Sequence, residues 1–137
     1  MKPFGIVRGA HRRLGRRGER VAARLLEMHG CRILCRNYRC RAGELDLVAL
    51  DGEILRFVEV KSLRRKGNFA PAGNLSLRQR RRNYAAARIY RGITGARRME
   101  ARFDLVEVVF DGRRIVELRR HSDYLPALMP EGGEVRP

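Results

Sequence analysis

Apolar side chains recur at helical spacing from Leu14 to His29. Leu14, Val21, Ala22, Leu25, Leu26 and Met28 fall on one side at 3.6 residues per turn. Gly30 stands where a left-handed residue ends a helix, and Glu19 sits at the edge of the stripe. The period then changes to two. Cys31 to Arg39 reads as a first strand, Glu44 to Leu50 as a second and Ile54 to Ser62 as a third. Asp51-Gly52 is the hairpin signal between the last two. Arg64 to Gly73, rich in Arg, Gly and Pro, reads as a mobile loop. Ser76 with Gln79 three positions on is a capping box, and a second helix is expected from Ser76 to about Tyr90. After a connection over Gly92 to Arg98, Arg102 to Phe110 reads as a fourth strand. Asp111-Gly112 is another turn, and Arg114 to Leu118 a fifth strand. From His121 onward the chain reads as a frayed tail.

The order is helix, three-strand meander, helix, strand, strand. A strand-helix-strand step makes a right-handed parallel crossover, so the sheet should be mixed. The expected fold is α/β, an αβββαβ plan with helices flanking the sheet and an extra C-terminal strand. The division is a basic N-terminal arm over 1–13, one domain over 14–128 and a flexible C-terminal tail over 129–137.

Composition changes this picture in one respect. Lys and Arg number 31 against 15 Asp and Glu, a formal charge of +16. So large an excess disfavours the compact state by self-repulsion unless a polyanion offsets it. Arg far outnumbers Lys, and its rigid fork matches phosphate geometry, which favours nucleic acid over an anionic membrane surface. The cysteines are three, Cys31, Cys35 and Cys40, an odd number that argues against a disulfide framework. Alternation places Cys31 and Cys35 on one strand face and Cys40 on the other, and no Cys-x-x-Cys pair supports zinc. Nothing reads as a signal peptide, and no run approaches the roughly 18 apolar residues of a membrane span. A cytoplasmic protein with reduced thiols is expected.

The candidate chemistry lies in Gly43-Glu44-Leu45-Asp46-Leu47-Val48 and Phe57-Val58-Glu59-Val60-Lys61. Residues two apart on a strand share a face, so Glu44 and Asp46 point one way and Leu45 and Leu47 the other. Glu59 and Lys61 likewise share a face. A two-residue turn at Asp51-Gly52 sets Glu44 opposite Glu59, with Asp46 on the diagonal; a longer turn sets Asp46 opposite Glu59. Either way carboxylates cluster beside one ammonium. Like charges on neighbouring strands repel, and a hard dication such as Mg²⁺ or Mn²⁺ would neutralise them. Such an ion lowers the pKa of a bound water and stabilises an anionic transition state, which is what phosphodiester cleavage needs. The competing account is a surface ion-pair ladder.

These residues resemble the restriction-endonuclease-like superfamily, whose PD-(D/E)xK pattern is matched by Asp46 and by Glu59-Val60-Lys61. More closely, the chain resembles the YraN family of small bacterial proteins. The match lies in Gly18-Glu19, Arg36-Asn37, Gly43 to Val48, Phe57 to Lys61 and Arg102-Phe103-Asp104, across roughly residues 15 to 128. The resemblance implies a restriction-endonuclease-like αβββαβ core. It implies metal ligation by Asp46 and Glu59, a catalytic role for Lys61 and support from Glu19, with Glu44 part of the pattern. Asp104, also in the pattern, reads as a structural contact. The family's basic residue early in the second helix is replaced by Gln79, which reads as the capping partner of Ser76.

Arg78, Arg80, Arg81, Arg82, Arg88 and Arg91 stud the second helix, and Arg78, Arg81, Arg82 and Arg88 lie in one broad arc. With Arg64, Arg65 and Lys66 they form a candidate phosphate track. Aromatic residues are 7% with no Trp, too sparse for a base-stacking platform. His11 and His121 read as isolated. The expected function is metal-dependent hydrolysis of nucleic acid, DNA before RNA, with a non-catalytic binding domain as the alternative. Cleavage of both duplex strands would favour a two-fold homodimer.

Overall fold

The computed structural model describes residues 9–66 and 75–132, with side chains from residue 15 onward. The elements are α1 (Gly9–Met28), β1 (Arg32–Cys40), β2 (Gly43–Asp51), β3 (Ile54–Arg64), α2 (Leu77–Thr94), β4 (Ala101–Asp111) and β5 (Arg114–Leu128). They form one five-stranded sheet in the order β1-β2-β3-β4-β5. All pairs are antiparallel except β3–β4, which is parallel, with α2 in the crossover. The sheet is therefore mixed, as the strand-helix-strand step requires. No described helix is long and apolar enough to cross a membrane.

Each helix covers a different sheet face. Ala22, Ala23 and Leu26 of α1 pack with Leu47, Ala49, Val58, Val106, Val108 and Phe110. Ala86, Ala87 and Tyr90 of α2 pack with Leu45, Val48, Leu55, Phe57, Phe103 and Leu125. Small residues let α1 approach closely. A Cβ added at Gly18 would collide with the Ser62 hydroxyl oxygen of β3. That contact rotates the buried row to Gly18, Ala22 and Leu26, so Met28, expected on the apolar stripe, is 77% exposed.

Two element ends differ from expectation. Helix α1 begins at Gly9, so residues 9–13 belong to it, while residues 1–8 of the expected arm lie outside the described region. Strand β5 runs to Leu128 instead of fraying at His121. Its pairing with β4 resumes at Leu125 and Leu128 after irregularities, and as an edge strand it tolerates Pro126. Beyond it, the Glu131 amide donates to Arg97 O at 2.7 Å. The loop expected to be mobile falls largely on residues 67–74, outside the described region.

Strict alternation also fails in two places. A bulge between Ile33 and Cys35 offsets the β1–β2 register. Cys31 consequently joins the α1 cluster, whereas Cys35 and Cys40 pack toward the α2 cluster. All three thiols are free. Further along, Leu45 belongs to the α2 cluster and Leu47 to the α1 cluster, although two-residue periodicity puts both on one face. Asp46 lies between them.

Candidate active site

The β2–β3 ladder explains the position of Asp46. Asp51 pairs with Ile54, so Gly52 and Glu53 make the turn, one residue later than the sequence signal places it. This register points Asp46 at Glu59. The regular pairing, however, stops at Leu47–Val58. Beyond that point the Asp46 side chain takes over: its Oδ2 accepts the Val60 amide at 2.8 Å. Across from it on β1, Asn37 has a left-handed backbone with φ of 52°. A side-chain acceptor in place of a ladder carbonyl lets the strands part without orphaning the amide.

Glu59 projects toward α2. Its Oε1 accepts the Gln79 side-chain amide at 2.5 Å. The helix N-terminus holds Gln79 in place, because Ser76 Oγ accepts the Gln79 backbone N–H at 3.1 Å. The capping box is thus half formed. The backbone serves the cap, and the side chain expected to complete it turns to Glu59 instead.

Asp46 and Glu59 are each half-buried and act electrostatically on each other. Burial raises both carboxyl groups far above the usual carboxylate range, Asp46 to about 7 and Glu59 to about 8. For Asp46 the Val60 amide opposes this, and the charges of Glu19 and Glu44 add to it. For Glu59 the Asp46 charge raises the value further, and Lys61 opposes it. Two neighbouring carboxyls raised this far titrate as a pair.

Glu19, Glu44 and Lys61 lie near enough to act on this pair. Glu19 reaches in from α1, half-buried and hydrogen-bonded to Asn37; burial raises its carboxyl too. Lys61 lies two residues beyond Glu59 on β3, its charge acting on the Glu59 carboxylate. Glu44 stays at the rim, exposed, with Arg39 at 3.7 Å. Of the basic track, Arg64, Lys66, Arg78, Arg81, Arg82 and Arg88 are exposed and Arg65 is half-buried. The Arg82 stem lies 3.4 Å from where a Gly43 Cβ would be, at the entrance to β2.

Arg80 and Arg91 are not part of any phosphate track. Arg80 donates to Leu75 O and stacks on the Tyr124 ring at 5.5 Å. Arg91 is 2% exposed and donates to the carbonyl oxygens of Ala96, Arg97, Met99 and Met129. Asp104 is structural, as expected: its fully buried carboxylate takes Arg56 at 3.1 Å, Arg120 at 2.9 Å and the Asp123 amide. His121 is not isolated. Its Nε2 lies 2.5 Å from Oε1 of the fully buried Glu107, which is in register with Lys61. An acid inside the apolar run Leu105 to Phe110 is the sequence signal for that pair.

The donor set fits a small hard cation. Among the described residues no group of three or more His, Cys, Asp or Glu side chains is set to hold a metal. Two carboxylates nonetheless suffice for Mg²⁺, which keeps several waters and takes substrate phosphate oxygens as further ligands. A dication between the two carboxylates would offset their repulsion.

A mixed α/β domain that opens one ladder around a half-buried acid pair, with a lysine on the second strand, is the class this geometry defines. Residues 18–108 match the family described as Uncharacterised protein family UPF0102. The chain belongs to that family. It is 41% identical over 114 residues to a UPF0102 protein of Pelotomaculum thermopropionicum, covering 83% of this chain and 95% of the relative. A UPF0102 protein of Anaeromyxobacter dehalogenans is 45% identical over 105 residues, covering 76% of this chain and 78% of the relative. Among solved structures, Pyrococcus furiosus SfsA in complex with Ca²⁺ is similar with a TM-score of 0.37 and 16% identity. That likeness covers 82% of this chain and 63% of SfsA.

Proposed function

We propose that the protein is a metal-dependent phosphodiesterase acting on nucleic acid, DNA before RNA. The observation that carries this reading is the half-buried pair Asp46 and Glu59, brought together by the β2–β3 register with Lys61 two residues on, in a chain of net charge +16. Asp46 and Glu59 would hold Mg²⁺ or Mn²⁺. Such an ion would supply Lewis acidity for hydrolysis of a phosphodiester. The Val60 amide and Gln79 fix the orientation of the two carboxylates. Lys61 would stabilise the attacking water or the non-bridging phosphate oxygens. Glu19, bonded to Asn37, adds negative charge to the ion's surroundings. The exposed arginines of α2 with Arg64, Arg65 and Lys66 hold the backbone, which sets affinity without reading sequence.

A second reading, a non-catalytic nucleic-acid-binding domain, draws on the absence of a third acidic or imidazole ligand among the described residues. Pure protein incubated with Mg²⁺ or Mn²⁺ and a panel of duplex, branched and single-stranded DNA and RNA separates the two. Cutting is expected to require metal. It should fall to background in Asp46→Ala and by roughly 10² to 10³-fold in Lys61→Ala. Binding without cutting by the wild type would leave the second reading in possession.

A further inference from the structure

A groove runs between α1 and β1, lined by Arg16, Glu19, Arg20, Arg36, Asn37 and Leu47. Arg16 and Arg20 are one helical turn apart and share a face of α1. Both are exposed, and Arg36 pairs with the half-exposed Glu27 at 3.9 Å. An ion pair that long and that wet contributes little, so its guanidinium remains available to a phosphate. The groove therefore offers guanidinium groups around a single carboxylate, Glu19. Its lining residues Asn37 and Leu47 adjoin Asp46, Asn37 across the strand pair and Leu47 next in the chain.

The other basic field approaches from the opposite face of the sheet. Gln79 of α2 touches Glu59, Arg82 lies against Gly43, and Arg78 and Arg81 stand exposed on the first turns. The elements that touch or adjoin Asp46 and Glu59 on the two faces of the sheet, α1 with β1 and α2, thus each carry exposed arginines. A surface that received only a strand terminus would need one such field.

We propose that the α1–β1 groove is the second half of a continuous phosphate track. One DNA strand crosses the open end of the β2–β3 ladder. Arg16, Arg20 and Arg36 hold phosphates on one side of the reacting bond, and Arg78, Arg81 and Arg82 hold those on the other. The inference rests on the phosphodiesterase reading and adds to it that the bond attacked is internal, with no free end required.

The test is binding, measured by fluorescence anisotropy in EDTA, with a labelled duplex of about 30 base pairs across a salt series. The groove variant is Arg16→Gln/Arg20→Gln/Arg36→Gln, and the α2 variant is Arg78→Gln/Arg81→Gln/Arg82→Gln. Each is expected to weaken binding at least about tenfold and to lower the slope of log K on log salt by about 2 to 3. Covalently closed circular DNA should compete as well per site as linear DNA. Wild-type affinity in the groove variant, with loss in the α2 variant, overturns the track and leaves the function standing. A requirement for DNA ends overturns it equally. Failure of the wild type to bind any DNA removes the functional reading, and the track with it. Should the triple groove variant melt early, Arg16→Gln and Arg20→Gln are measured singly. A slope drop of about 1 in each supports the track, and no drop in either overturns it.

Discussion

Asp46→Asn should make the metal-free protein more stable at pH 8 while removing its response to divalent cations. In the folded protein Asp46 and Glu59 bind protons far more tightly than ordinary carboxyls do. Proton binding favoured in the folded state adds stability that is complete below the unfolded-state range near pH 4. That stability is lost as pH rises through the folded values of about 7 and about 8. The wild type therefore carries repulsion at pH 8 that the Asp46→Asn protein lacks, since the amide oxygen can still accept the Val60 N–H. The gain for Asp46→Asn at pH 8 should be about 1 to 3 kcal/mol, less than the full shift because water reaches part of the pair. At pH 4 the two proteins should be within about 0.5 kcal/mol. Urea midpoints at both pH values check this. Equal stability at pH 8 would mean that the pair carries no excess proton affinity.

Arg91→Met should be the most destabilising single change outside the sheet core. The guanidinium is buried at the C-terminal end of α2, where four carbonyl oxygens converge on it. Ala96, Arg97 and Met99 lie in the connection to β4, and Met129 follows β5, so one side chain ties three segments together. Met fills similar volume but leaves those carbonyls without a donor. The expected loss is about 3 to 5 kcal/mol, read from the urea midpoint with an unchanged slope. Arg91→Lys should recover only part of it, because an ammonium cannot fork across the same acceptors. A loss below about 1 kcal/mol would show that water substitutes for the guanidinium.

The element order and the mixed sheet are legible in the sequence because helical and strand periods alternate cleanly along the chain. That Asp46 and Glu59 come to lie opposite each other is legible for a related reason, since two-residue periodicity and a hairpin turn fix which side chains share a face. What escapes are features that depend on departures from periodicity. The bulge after Ile33 puts Cys31 and Cys35 on different faces, and the parting of β2 from β3 separates Leu45 from Leu47. Neither leaves a local sequence signal, since both arise from pairing with another strand. The capping motif at Gln79 cannot tell a backbone partner from a side-chain one. Arg91 resembles the solvated arginines of α2 because helical position alone does not reveal what a chain end folds back upon. His121 looks isolated in sequence because its partner Glu107 lies on the neighbouring strand.

Whether Asp46 and Glu59 form a cation site is decided by calorimetric titration of the protein with Mn²⁺ at pH 7. Repeating the titration in buffers of different ionisation enthalpy measures both binding and the protons released. Wild type should bind Mn²⁺ and release about one proton per ion, and Asp46→Asn should do neither. Equal Mn²⁺ binding by wild type and Asp46→Asn, or none by the wild type, would contradict a cation site at this pair.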